Sequence, residues 1–280
     1  MSEYRPTRAN RSLAGKVAIV TGAGAAGDGI GNGRAISLLL AEDGASIVCI
    51  DMDKESAEKT SEMVNSEGKG KAVATAANVM SPDACKAAVD LALSSFGRVD
   101  ILINNVGIIG AKGTAVDADA AEWAKSLEIN VTSMMLMAKY AIPAMLRNEP
   151  GDGNIRGSIV NMGSVAGIRG GTPSLLYPTS KGAVVNMTRA MASQHGKDGI
   201  RVNCVCPGML YTPMMYNAGG GMSDEMRESR KSRSLLKTEG NAWDCAASVR
   251  FLAGAEARWI TGTVLTVDAG ATCSTSIDMN

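Results

Sequence analysis

Tyr177 and Lys181 stand four residues apart, and an apolar periodic run follows them: Ala183, Val184, Val185, Met187, Ala190 and Met191. Such a run predicts a helix, on which the two side chains share a face one turn apart. An ammonium within a few ångströms of a phenol favours the phenolate and lowers its pKa. That makes a tyrosine useful for proton transfer near neutral pH. Taken alone, the pair is equally an ordinary couple of exposed helical residues. Its meaning depends on what the rest of the chain brings to it.

The elements that position it begin with Lys16–Thr21, a short apolar run that reads as a buried parallel strand. Glycines follow at 22, 24, 27, 29, 31 and 33, then an apolar helical pattern from Ala35 to Ala41. A second strand, Ser46–Ile50, ends on Asp51. Strand, glycine loop, helix, strand and acid is the order of a dinucleotide-binding crossover. Glycines admit the pyrophosphate, the helix N-terminus offers free N–H groups, and the acid accepts from a ribose diol. The alternation continues through apolar runs at 72–75, 99–103, 158–162, 201–206 and 264–267, with helical patterns between them. The expected architecture is therefore α/β: a Rossmann-like, doubly wound, seven-stranded parallel sheet with helices on both faces. Residues 1–12 lack a periodic apolar face and read as a flexible extension, with 13–280 a single dinucleotide-binding and catalytic domain.

Composition narrows the function. Lys plus Arg and Asp plus Glu both number 28, and only 2 Phe, 5 Tyr and 3 Trp occur. A balanced charge and few aromatics argue against nucleic acid or an anionic membrane as partner. No apolar run approaches the ~18–20 residues of a membrane span, and no apolar signal core opens the chain. The six cysteines match no zinc spacing; Cys204 and Cys206 read as small residues on one face of a buried strand. A reducing, cytoplasmic setting without a metal is the expectation.

These features together resemble the short-chain dehydrogenase/reductase family over roughly residues 13–271. The marks are the glycine loop after Thr21, Asn104-Asn-Val-Gly107, Asn130, Ser164, Tyr177-Pro-Thr-Ser-Lys181, Pro207-Gly208, Thr212-Pro213 and Asp268-Ala-Gly270. The resemblance implies roles. Tyr177 is the acid/base, Lys181 lowers its pKa and bonds the nicotinamide ribose, and Ser164 holds the substrate oxygen where charge develops. Asn130 anchors a water leading from Lys181 to solvent. Asp51 holds the adenosine ribose, and Asn78 and Val79 flank the adenine. Asn105, Val106 and Gly107 line the adenine ribose. Pro207, Gly208 and Thr212 meet the nicotinamide end. An acid at Asp51 repels a 2′-phosphate, and no Arg or Lys follows it directly or lies in 22–33, so NAD is expected over NADP.

One departure concerns the phosphate contacts. The interval from Thr21 to Asp51 exceeds the family pattern by five residues. Counting back from Asp51 selects Gly31 and Gly33, around Asn32. Matching the wording Gly-Ile-Gly selects Gly29-Ile30-Gly31. Gly22 opens the loop in both, and the insert Ala25–Asp28 must bulge nearby.

The stretch 209–235 is long for a connection and reads as a substrate lid, with an apolar first half and a charged, solvated half from Asp224 to Arg233. Ile108, Ile109, Val165, Ala166, Leu175, Leu176 and Met209 are the expected pocket walls, with Arg169 near. His195, the sole histidine, falls at a helix end and suits no hydrolytic triad. The expected reaction interconverts a hydrophobic secondary alcohol and its ketone with NAD. The alternatives are a biosynthetic reductase or epimerase at the same site, possible with NADPH, and a non-catalytic nucleotide-binding scaffold. The family also implies a homo-oligomer, tetramer or dimer, through the helices around Asn130 and Tyr177 and the final strand.

Overall fold

The computed structural model describes residues 8–217 and 221–274. Most of the expected extension, the glycines at 219 and 220, and the last six residues lie outside them. Seven strands form one parallel sheet: β1 (Val17–Thr21), β2 (Ser46–Asp51), β3 (Lys71–Ala76), β4 (Ile101–Asn104), β5 (Gly157–Met162), β6 (Ile200–Pro207) and β7 (Val264–Val267). Their order is β3-β2-β1-β4-β5-β6-β7, the doubly wound arrangement whose reversal point lies between β1 and β4. The central strands are apolar on both faces because helices cover both. Ala18, Val20, Ile47, Cys49, Ile103 and Val160 pack towards one side; Val17, Ile19, Val48, Ile50, Leu102 and Ile159 pack towards the other.

The first side is covered by α1 (Asn32–Glu42) and α2 (Lys54–Glu67), and the other by α3 (Pro82–Phe96). The helical stretch between β4 and β5 is three pieces: α4 (Ala120–Leu127), a π-helical turn over Glu128–Thr132, and α5 (Ser133–Met145). Next come α6 (Leu176–His195), α7 (Pro213–Tyr216), α8 (Asp224–Ser232) and α9 (Ala242–Ala253). Side chains cap α2, α3, α4, α8 and α9 at their N-termini; Asn241 and Asp244 make a reciprocal capping box on α9. α1 begins at Gly31 with no side-chain cap. Its first N–H groups are thus left for something else. His195 closes α6, where the helix dipole favours a cation.

Candidate active site

The carboxyl ends of the strands open into a cavity of about 1020 Å³. At one end lie Gly22, Gly31, Asn32, Gly33 and Asp51, with Asn78 and Val79 beside them. At the other lie Ser164, Tyr177, Lys181, Pro207, Gly208 and Thr212, and Asn105, Val106 and Gly107 line the middle. Residues more than 150 positions apart thus share one space. The parallel strands deliver their following loops to a common edge, which is where doubly wound sheets bind ligands.

Backbone geometry explains the glycines. Gly22 has φ +62°, and a Cβ at Gly33 would overlap the Gly22 carbonyl oxygen, so α1 seats directly against the end of β1. Gly33 therefore makes the close helix–strand contact, and Gly31 stands just before the uncapped first turn. The count back from Asp51 is the structural register. Gly29 lies against Pro213 and Tyr216, and Ile30, a candidate cofactor contact by wording, is partly buried against the core and does not line the cavity. Asn105 Nδ2 donates to the Gly22 carbonyl at 2.9 Å, tying β4 to this turn.

At the other end, α6 carries Tyr177 and Lys181 as expected. Lys181 Nζ lies 5.8 Å from the Tyr177 ring centroid and donates to the Met162 carbonyl at 2.9 Å. A Cβ at Gly107 would come within 2.9 Å of Nζ, so a glycine there leaves the ammonium its channel. Burial pushes Lys181 down to about 8, opposed by Cys204 and Cys206 behind it. Burial also pushes the Tyr177 phenol up, and interaction with the Ser164 hydroxyl pulls it back. Desolvation outweighs the Ser164 hydroxyl, so the net displacement of the phenol is upward. Ser164 Oγ accepts from the Ala166 N–H at 3.1 Å, which fixes the hydroxyl at the cavity wall.

Asn130 sits in the π-helical turn and is fully buried. Its Oδ1 accepts from Ile108 N at 2.8 Å; its Nδ2 donates to Ile108 O at 2.9 Å and Ser180 Oγ at 3.0 Å. Both amide hydrogens are used, and the side chain clamps the loop after β4 to α6.

The family model described as Enoyl-(Acyl carrier protein) reductase matches residues 24–272. The chain belongs to the short-chain dehydrogenase/reductase family. It is 34% identical over 259 residues to meso-2,3-butanediol dehydrogenase of Serratia marcescens, covering 92% of this chain and 95% of that one. Cyclohexanol dehydrogenase of Acinetobacter sp. is 33% identical over 257 residues, covering 92% and 95%. A solved 7α-hydroxysteroid dehydrogenase, complexed with NADH and 7-oxo glycochenodeoxycholic acid, superposes with a TM-score of 0.84 at 31% identity, covering 93% and 96%. The protein is thus an oxidoreductase of the alcohol dehydrogenase and reductase kind, built for a nicotinamide cofactor and a small alcohol or ketone. Among the described residues, no helix is long and apolar enough to cross a membrane.

Within this short-chain dehydrogenase/reductase, the lengthened loop is held by residues that sequence reasoning missed. Arg34, fully buried on α1, donates from Nη1 to the Gly27 and Gly29 carbonyls at 3.0 and 2.6 Å and from Nη2 to Ala25 O at 3.2 Å. Ser56 Oγ donates to Ala25 O and accepts from Ala25 N, both at 2.8 Å. Asp28 is exposed, paired with Lys59, and does not line the cavity. The signal for Arg34 was a lone cation opening an otherwise apolar helix face. The walls also differ from expectation. Ile108, Val165, Ala166 and Met209 line the cavity, whereas Ile109, Leu175 and Leu176 do not, and Leu176 is buried in α6. The charged half of the lid was expected in solvent, yet Arg230 and Arg233 face the cavity.

Proposed function

We propose that the protein is an NAD-dependent oxidoreductase interconverting a secondary alcohol and its ketone, with Tyr177 as the acid/base. The observation that carries this reading is one cavity holding the uncapped α1 N-terminus and Asp51 at one end and Ser164, Tyr177 and Lys181 at the other. The residues fit the dinucleotide: Gly22 and Gly33 leave the backbone bare where a pyrophosphate approaches, and the first N–H groups of α1 remain free for it. NAD, when bound, accepts or returns the hydride. Tyr177 Oη takes the hydroxyl proton in oxidation and protonates the carbonyl oxygen in reduction. The Ser164 hydroxyl donates to that same oxygen as its charge grows. Lys181, held by one bond to Met162 O, keeps two N–H groups for the nicotinamide ribose and the phenolate. Asn130 anchors the water between Lys181 and solvent in this reading, and its side chain positions the loop after β4 against α6.

Preference for NAD rests on Asp51, which lines the cavity, and on the lack of a cation for a 2′-phosphate. Met52 follows it, Arg34 is committed to loop carbonyls, and Lys59 is paired with Asp28. Asp51 Oδ2 accepts from Gly24 N at 2.9 Å, which fixes the carboxylate at the ribose end. Residues 209–235 serve as the lid, with Met209, Leu210, Met214 and Met215 as its adaptable inner wall. Six free thiols accord with a reducing, cytoplasmic setting.

The test is reduction of NAD or NADP by a panel of secondary alcohols, with wild type beside Tyr177→Phe. Turnover is expected with NAD well above NADP. Tyr177→Phe should lose ~10²–10⁴-fold in kcat while NADH still binds. Full activity in Tyr177→Phe, or no reduced nicotinamide from any alcohol, overturns the reading.

A further inference from the structure

The substrate end of the cavity carries more positive charge than an apolar alcohol needs. The ionisable side chains lining the cavity are Asp51, Arg169, Tyr177, Lys181, Arg230 and Arg233. Asp51 ends β2, and four strand spacings separate β2 from β6, roughly 19 Å across the sheet. The carboxylate therefore serves the adenosine end alone. Beyond Tyr177, three guanidiniums face the cavity and no acid does.

Their bonding shows that this charge is not neutralised locally. Arg169 Nη1 donates to the Ala271 carbonyl at 2.6 Å and has no carboxylate partner among the described residues. Arg230 shares the buried Glu239 with Arg227. Arg227 Nε and Nη2 reach Oε2 at 3.0 and 2.8 Å, and Arg230 Nε lies 3.4 Å from Oε1. Two cations on one carboxylate leave a net positive charge. Arg230 Nη2 is fixed on Leu210 O at 2.9 Å. The Arg233 guanidinium makes no hydrogen bond or ion pair among the described residues, only its backbone N–H bonding the Arg230 carbonyl. The turn after β7 gathers these groups, because it accepts Arg169 at Ala271 and the Leu235 N–H, two residues beyond Arg233, at Ala269.

A planar guanidinium with open N–H groups, held in place by a backbone carbonyl, is suited to an oxyanion. Cofactor phosphates do not account for the cluster, since the pyrophosphate has the α1 N-terminus and these arginines lie on the lid side. We propose that Arg169 and Arg233, backed by Arg230, form a subsite for an oxyanion at the tail of the substrate. The substrate is then a secondary alcohol or ketone with an apolar body and a carboxylate or sulfonate end. This rests on the reading of Tyr177 as the reacting end.

The test uses methyl-ketone carboxylates of increasing chain length, each beside its methyl ester and the matching sulfonate, with NADH. At the length that fits, kcat/KM for an anionic ketone should exceed that of the ester by ~10–100-fold, the range for hydrogen bonds to a charged group. A sulfonate preferred over the carboxylate, or the reverse, identifies the head group. In Arg169→Gln and Arg233→Gln the acid-to-ester ratio should collapse towards one, with the KM for NADH unmoved. Esters turned over as well as acids at every length, or a ratio the variants leave intact, overturn the subsite. Calorimetric binding of unreactive alkyl carboxylates and amides to the NADH complex supplies a readout free of turnover. Carboxylate binding lost in Arg233→Gln with no ketone turned over keeps the subsite and removes the proposed reaction. Turnover without anion preference does the reverse.

Discussion

Lys181 is an ammonium buried where water cannot solvate it, and its ordinary pKa of 10.5 is pushed down to about 8. Ketone reduction needs Tyr177 protonated and Lys181 charged. Burial raises Tyr177, so the phenol stays protonated across neutral pH, whereas the ammonium is lost as pH rises through about 8. The kcat/KM for ketone should therefore fall through that range. Lys181→Arg keeps its charge; its rate should be lower throughout, but the fall near pH 8 should vanish. A pH–rate profile in which the fall persists in that variant assigns it to another group. Linkage has the opposite sign for stability. Above pH 8 the folded lysine binds fewer protons than the unfolded one, so its burial penalty is greatest below pH 8 and is relieved as pH rises. At this scale Ser164, Tyr177 and Lys181 were legible because a short contiguous segment carries all three. Their ionisation was not, because it depends on burial by β5, β6 and Gly107, none of which is local.

The decisive element is the turn from β1 into α1. A methyl group at Gly33 overlaps the Gly22 carbonyl, while one at Gly31 meets the Ala25 methyl at 3.3 Å and the Gly24 carbonyl oxygen at 3.7 Å. Gly33→Ala should separate helix from strand, lower Tm by several degrees and abolish the thermal shift given by NADH. Gly31→Ala should keep most of the stability and weaken NADH several-fold. Differential scanning measurements with and without NADH separate the two; equal effects would discard this register. The sequence left both registers open, because the choice is made by contact between β1 and α1 rather than by spacing. The π-helical turn at Asn130 was equally hidden, since one extra residue in a helical ladder leaves no mark on composition. α8 misled for a similar reason. Its charges alternate as on a solvated helix, and partners beyond the helix hold two of them: Glu239 and Tyr211 for Arg227, Glu239 and the Leu210 carbonyl for Arg230.

For the whole molecule, the outer edge of the sheet is unfinished. Val264, Leu265 and Val267 of β7 are only half buried, and Trp259 and Met135 stand exposed. An apolar edge strand of this kind invites pairing with a second copy. The proposed homo-oligomer, through β7 and the helices carrying Asn130 and Tyr177, should sediment at micromolar concentration as a multiple of the chain mass. Monomer alone would refute it. The seven strands and the doubly wound class were legible because each strand is an apolar run between helical patterns; an assembly leaves only surface residues as evidence.

Asp51 joins these scales. The carboxylate proposed to meet the ribose also accepts from the Gly24 N–H, and Gly24 leads into the Ala25–Asp28 insert. Any descendant that gave up this acid to admit a 2′-phosphate would lose one tether of the loop in the same step, leaving Arg34 and Ser56 to hold it. A change of coenzyme would thus loosen the scaffold as well as the specificity, and lineages keeping the insert would meet that cost at the first substitution.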